Sequence, residues 1–396
     1  TTPWPHTISA CVTAGTTYYI NVDADEGDCE DANPLVVDTL DSYNLTVNLT
    51  STENCTNTVD DDCDGLIDGV DPDCIITWPD TDLIACQNVT ITAAGGALTG
   101  FPAYINVSGD NYSNFYDQPC NQGGNLLPSE LEYSSAAYSL YWVKTDINAP
   151  SITISRYYNT SSPESKNPTD VWDSDFKIVL HLNEISGNSL DSTSNYNNAI
   201  QQDAPDQTVA GQVDGGISYD GNNDASIIAY DPSFDSAILS FTAWVKPANG
   251  EVNGDFHARA GGFNLGLNAF GNLRIRARSG AVNYHSSSST ALTRDGSTWS
   301  HIAATYDDST HTYAKLYVNG QEVSYGESED VGGGLDTGTT NYGIEFADTH
   351  VFGYYGGSAD EIRVATRALT ASWINQSYQM IANQGSFVSF GAEETI

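Results

Sequence analysis

Positive charge is nearly missing from this chain. Thirteen Lys and Arg stand against 52 Asp and Glu, a formal net charge of −39 over 396 residues. The first Lys or Arg is Lys144, and 22 Asp and Glu precede it. Phosphate recognition needs a basic surface, so nucleic acid and anionic membrane are disfavoured as partners of that half, and metal cations are the natural counter-charge. Cysteine is absent after Cys120, and the seven present (Cys11, Cys29, Cys55, Cys63, Cys74, Cys86 and Cys120) show no C-x-x-C spacing. That disfavours thiolate zinc and favours disulfides formed in an oxidising compartment, with one cysteine left over and the connectivity open. No apolar run approaches the roughly 18 residues needed to span a membrane. With no initiating Met and no signal peptide, the sequence reads as a mature exported chain located outside the cell or on its surface. Gly-x-Ser-x-Gly, His-Glu-x-x-His and phosphate-binding loops are also missing.

Helical periodicity is scarce as well, and short alternating runs between Gly, Asn, Asp and Ser clusters take its place, which predicts an all-β protein. "SFTAWVKP" (240–247), "HIAATYD" (301–307) and "AKLYVNGQEVSY" (314–325) are such runs, the last with an Asn319-Gly320 hairpin signal at its centre. Only residues 370–384 read as a helix.

Within "VDDDCDGLIDGVDPDC" (59–74), Asp60, Asp62 and Asp64 occupy places 1, 3 and 5 of a twelve-residue loop, with Gly65 at 6, Leu66 at 7, Asp68 at 9 and Asp71 at 12. Ca²⁺ takes six to eight hard oxygens, and this spacing curls side chains and the Leu66 carbonyl around one point. Asp23, Asp25, Asp28 and Asp31 form a weaker second set. With "GDCEDANP" (27–34) and Cys55, the pattern resembles thrombospondin type-3 repeats and related Asp/Cys metal-binding motifs of microbial surface proteins. N-glycosylation sequons fall at Asn44, Asn48, Asn54, Asn88, Asn106, Asn111, Asn159 and Asn375, seven of the eight within the first 160 residues.

From about Val171, "HLNE" (181–184), "LDSTSNYNNA" (190–199), "ISYDGNND" (217–224), "FTAWVKP", "WSHIAATYD" (299–307), "LYVNGQEV" (316–323) and "ADEIRVATRALT" (359–370) run in the order found in laminin-G-like, concanavalin A-like domains. The stretch before it, with "LLPSELEY" (126–133), "LYWVK" (140–144) and "VWDSD" (171–175), resembles a small β-domain family of unknown function that precedes such modules in surface proteins. The expected organisation is therefore multi-domain: an N-terminal β-strand segment (1–22), an acidic, disulfide-rich calcium region (23–76), a small β-domain (77–170) and a concanavalin A-like jelly-roll sandwich (171–396). The resemblance implies that Asp360 and the "DGNND" turn (220–224) ligate a structural Ca²⁺. The competing reading is a buried Asp bonded to backbone amides.

A retaining glucanase on such a fold would carry two carboxylates about 5–5.5 Å apart. In "DEIRV" (360–364) Glu361 falls on the face opposite Asp360, so no pair forms there. Glu130 and Glu132 share a strand face and read as a solvated one. His181 and His301 sit in apolar runs and read as structural. No enzyme is expected. "NLRIRARSG" (272–280) points Arg274, Arg276 and Arg278 outward, either to pair with the domain's own acids or to dock a neighbouring subunit. The sequence thus predicts a calcium-stabilised, glycosylated structural or adhesive surface subunit, self-assembling through residues 1–22. A lectin-like module is the alternative, with Tyr354 and Tyr355 as sugar platforms and Trp244 and Trp299 in the core.

Overall fold

The computed structural model describes residues 85–109, 112–122, 124–159, 168–251, 254–259, 263–279, 282–307, 314–328, 343–348 and 353–395. The expectations for residues 1–84, for Asn111 and for the side chains of Asn159 and Arg278 lie outside the described residues; these include both Asp loops, Cys11, Cys29, Cys55, Cys63 and Cys74, and the N-terminal docking strand.

Residues 82–396 form one compact unit. Strand dominates it, as the alternating runs predict. Two eight-stranded sheets carry the C-terminal part. One orders Gln321–Glu322, Lys315–Val318, Ser300–Asp307, Ile238–Pro247, Gly356–Ala365, Gly215–Asp220 and Asp206–Ala210, with Phe176–Leu180 also pairing with Gly356–Ala365. The other runs from Tyr325–Ser328 through Val282–Ala291, Asn272–Ser279, Phe263–Leu267, Gly254–Arg259, Ile344–Phe346 and Ala225–Ile228 to Ala199–Gln202. Phe241, Phe256, Phe346, Tyr219 and Tyr355 pack between them with Ile178, Leu180, Ile362 and Val364. Asn319 and Gly320, with φ of 50° and 77°, close the expected two-residue hairpin between Lys315–Val318 and Gln321–Glu322.

The expected helix spans Ala371–Ala382, and the Thr370 hydroxyl caps it by accepting from the Trp373 N–H.

Residues 85–159 build two smaller sheets. Leu98–Ser108, Tyr138–Ile147 and Ser129–Ser134 form a three-stranded one. Val388–Thr395, Ala85–Thr92, Ser151–Asn159 and Tyr112–Tyr116 form a four-stranded one, so the last strand of the chain belongs to the sheet of the first described strand. A disulfide joins Cys86 to Cys120.

A second core fuses these sheets to the sandwich. Period-two alternation explains how. In Phe176–Leu180 and the residues after it, Ile178, Leu180 and Leu182 enter the sandwich core. Val179 points the other way and joins the second core, which includes Val89, Ile105, Trp142, Trp172, Phe176, Trp373 and Ile374. The outer face of one sandwich sheet is thereby covered rather than solvated.

Candidate functional site

Ionisable side chains concentrate where that covered face meets the three-stranded sheet. Glu130 and Glu132 lie on Ser129–Ser134, an edge strand. Its register shifts between Leu131 and Tyr133, which places Glu132 at a bulge. His181 follows Phe176–Leu180 directly. Glu361 and Arg363 come from Gly356–Ala365, where pairing with Ile238–Pro247 slips by one residue between Asp360 and Arg363. Glu361 absorbs that slip at φ 52°, left-handed backbone that a residue with a Cβ adopts only under constraint.

His181 is the hub. Its Nδ1 lies 2.7 Å from Glu361 Oε1 and 3.5 Å from Glu132 Oε2, and its Nε2 lies 3.4 Å from Glu130 Oε2. The Trp142 indole N–H donates to Glu132 at 2.6 Å, and the Trp172 indole N–H to Glu130 at 2.8 Å. Ser192 Oγ donates to the other oxygen of Glu130, and Arg363 pairs with Glu361 while its guanidinium lies 4.2 Å above Trp142 and 4.7 Å above Trp172. Side-chain exposure is 7% for His181, 0% for Glu132, 2% for Glu361 and 13% for Glu130. The solvated-face reading of Glu130 and Glu132 is therefore wrong: the bulge turns both onto the sandwich, where indole donors replace water.

Burial disfavours every charge here, and the proton distribution resolves the conflict. Burial alone would depress His181, but Glu361, Glu132 and Glu130 outweigh it and hold the imidazole well above its usual range. Burial would raise Glu361 and Glu130, yet His181 beside both, with Arg363 beside Glu361, pulls them below the usual carboxylate range. Glu132 goes the other way: burial, joined by the neighbouring Glu361, pushes it up to about 8 despite His181. Asp360 is raised well above its usual range by burial and by Glu361. At neutral pH two cations therefore face two carboxylates, while Glu132 keeps its proton.

Glu132, His181 and Glu361 are the one group among the described residues whose ligand atoms gather closely enough, within 4.8 Å of one another, to hold a metal ion.

The joint calcium site expected at Asp360 and the "DGNND" turn does not fit. Asp360 Oδ2 accepts from the Gln212 and Val213 amides at 2.7 Å each. Asp220 pairs opposite Gly356, four residues along the strand from Asp360, or roughly 13 Å away at strand rise, and its carboxylate caps Asn222 instead. His301 is structural, as expected: it packs against Trp244 and Tyr378, and burial with Arg363 nearby holds it down to about 3.

Of the proposed sugar platforms, Tyr355 is fully buried and donates its hydroxyl to the Ser358 carbonyl, so it offers no face to a ligand. Trp244 is core as expected, but Trp299 is only half-buried, with Lys246 4.8 Å over its ring. Arg274 pairs with Glu327 of its own chain at 3.3 Å, and Arg276 donates to Asn264 Oδ1. Among the described sequon asparagines, Asn106 is half-buried. Asn88 accepts from the Cys120 N–H, and Asn375 donates its amide to the Ala94 carbonyl, so attachment at Asn375 would displace that bond.

One open cleft of about 280 Å³ lies at the sandwich edge. Exposed Thr290, Thr293, Gln321 and Glu322 line it, together with half-buried Asn319 and Val318 and buried Ser288 and Leu292. Sequence reasoning missed it, since no local spacing marks its lining residues.

Residues 220–375 match the family model described as the concanavalin A-like lectin/glucanases superfamily. No curated protein matches the chain. Among solved structures, the binding domain of Paraclostridial Mosquitocidal Protein 1 is similar at 18% identity and a TM-score of 0.43, covering 53% of this chain and 53% of that one. The chain thus spans about half the length of that structure. Domain 4 of AbnA, a GH43 extracellular arabinanase from Geobacillus stearothermophilus in complex with arabinotriose, is similar at 19% identity and a TM-score of 0.41, covering 52% of this chain and 98% of that one. The binding domain of botulinum neurotoxin DC in complex with SialylT is similar at 12% identity and a TM-score of 0.39, covering 52% of each. The chain is thus all-β with a concanavalin A-like domain over residues 220–375.

Proposed function

We infer that this chain is a carbohydrate-binding, non-catalytic module of an extracellular surface protein, glycosylated and taking Ca²⁺ in its acidic residues 23–76. The carrying observation is the open cleft: its exposed side chains include the Thr290 and Thr293 hydroxyls and the Gln321 amide, and Leu292 and Val318 also line it, which together give the donors, acceptors and apolar surface that a sugar ring matches. The family embraces glucanases as well as lectins, and the carboxylates argue for binding. Hydrolysis needs two carboxyl groups about 5–9.5 Å apart around a reachable bond. The cleft lining holds one, Glu322, which already accepts from the Tyr325 hydroxyl. Glu130, Glu132 and Glu361 are shut beneath Trp142 and Trp172, where no glycosidic bond reaches.

A glycan array probed with the full chain, followed by calorimetry on the best ligand, tests this reading. Selective retention that weakens at least tenfold in Gln321→Ala supports it. An array without selective retention, or binding indifferent to Gln321→Ala, overturns it.

A further inference from the structure

We propose that Glu132, His181 and Glu361 form a binding site for a divalent first-row metal ion of the Zn²⁺ type, which cross-links the three-stranded sheet to the sandwich. Each ligand comes from a different strand: Glu132 from Ser129–Ser134, His181 from the end of Phe176–Leu180, and Glu361 from the bulge of Gly356–Ala365.

One observation beyond the clustering points to a ligand. Glu132 Oε1 makes no hydrogen bond although its side chain is fully buried. An unsatisfied buried polar atom is costly, so a pocket that keeps one is short of a partner.

The ion class follows from the donors. One imidazole nitrogen and two carboxylate oxygens suit Zn²⁺, Co²⁺ or Mn²⁺, whereas Ca²⁺ requires six to eight oxygens. At metal–ligand distances of about 2.0–2.2 Å, tetrahedral ligand atoms stand roughly 3.4 Å apart. His181 Nδ1 and Glu132 Oε2 already stand at 3.5 Å, while the 2.7 Å contact to Glu361 must open to admit the ion. Two carboxylates cancel the ion's charge and Glu130 cancels that of Arg363, so the loaded pocket holds no uncompensated charge. The Trp142 and Trp172 N–H groups, bonded to Glu132 and Glu130, would orient the carboxylates from outside the ligand set.

The test uses the full chain, stripped with chelator and returned to millimolar Ca²⁺ so that the Asp loops at 23–76 are occupied. Zn²⁺ is then titrated with the bound metal counted by mass spectrometry, and Co²⁺ is titrated with its visible absorption recorded. One tightly held equivalent is expected, with affinity reduced at least about 100-fold in His181→Asn and in Glu132→Gln and unchanged in Asp64→Ala. Glu132→Gln copies the shape of the protonated acid and keeps an acceptor for Trp142, so it preserves the metal-free fold even where His181→Asn does not. Absence of a zinc equivalent in the parent protein, or the same stoichiometry and Co²⁺ spectrum in Glu132→Gln, overturns the proposal.

Discussion

The junction around His181 and the cleft beside Asn319 treat polar side chains in opposite ways. The junction collects Glu130, Glu132, Glu361, Arg363 and His181 where little water reaches. The cleft offers Thr290, Thr293 and Gln321 in the open. Charge inside a protein is held only by paired geometry, so the junction governs stability and its dependence on pH. Neutral donors and acceptors at the surface cost little to keep, and they remain free to exchange water for a ligand. Substitutions in the two regions should therefore separate cleanly, one set moving the folding equilibrium and the other moving binding.

The largest effect is expected at Arg363. Arg363→Met removes the guanidinium between Trp142, Trp172 and Glu361 and leaves the buried Glu130 and Glu361 carboxylates to share the His181 cation, which should cost about 3–5 kcal/mol in urea unfolding. A loss below about 1 kcal/mol would mean that the ion pair contributes little to the junction. Next comes the four-stranded sheet, away from the charges: replacing both Cys86 and Cys120 by Ala opens a crosslink across 34 residues and should cost about 3–4 kcal/mol in the chain-entropy account, without reshaping the pH profile. A changed pH profile in that double variant would show that the junction is not independent of it.

Titration sharpens the contrast through two buried groups with opposite signs. His301 is held down to about 3 from the usual 6.5, so the unfolded chain takes its proton first; its contribution is intact above about pH 6.5 and falls by about 1.4 kcal/mol per pH unit on acidification toward 3. Glu132 is raised from 4.5 to about 8, so the folded state keeps a proton that the unfolded chain has lost. Its contribution is complete below about pH 4.5 and is lost as pH rises through 8. Chemical unfolding across pH 4–9 in chelator should thus show loss on both sides, with His301→Phe flattening the acid limb. Glu132→Gln should flatten the alkaline limb while changing stability at pH 5 by less than about 1 kcal/mol. Unaltered limbs in these variants would assign the pH dependence to other groups.

Local signals made much of the sandwich readable. Alternation found Ile238–Pro247 and Ser300–Asp307, Asn319-Gly320 found its hairpin, and Arg274 and Arg276 came out on the face opposite buried Leu273 and Ile275. The junction was not readable, because its burial is decided by partners far along the chain. Glu130 meets Ser192, 62 residues on, and His181 meets Glu361, 180 residues on. A bulge at Glu132 and a left-handed Glu361 set the facing, and neither leaves a spacing signature. One clue was available: in a chain so poor in Lys and Arg, carboxylates flanked by Trp142 and Trp172 had reason to use indole donors. The return of Val388–Thr395 to the sheet of Ala85–Thr92 escaped for the same reason, since pairing across some 300 residues has no local cause.

The measurement closest to the central claim is isothermal calorimetry of the best array glycan against the parent protein, Gln321→Ala and Glu132→Gln, each with a paired melting curve. The account predicts that Gln321→Ala weakens binding at least tenfold while moving stability by less than about 0.5 kcal/mol, and that Glu132→Gln leaves the affinity unchanged. Binding lost in Glu132→Gln, or retained in Gln321→Ala, would contradict the division between a charged interior that holds and a neutral surface that binds.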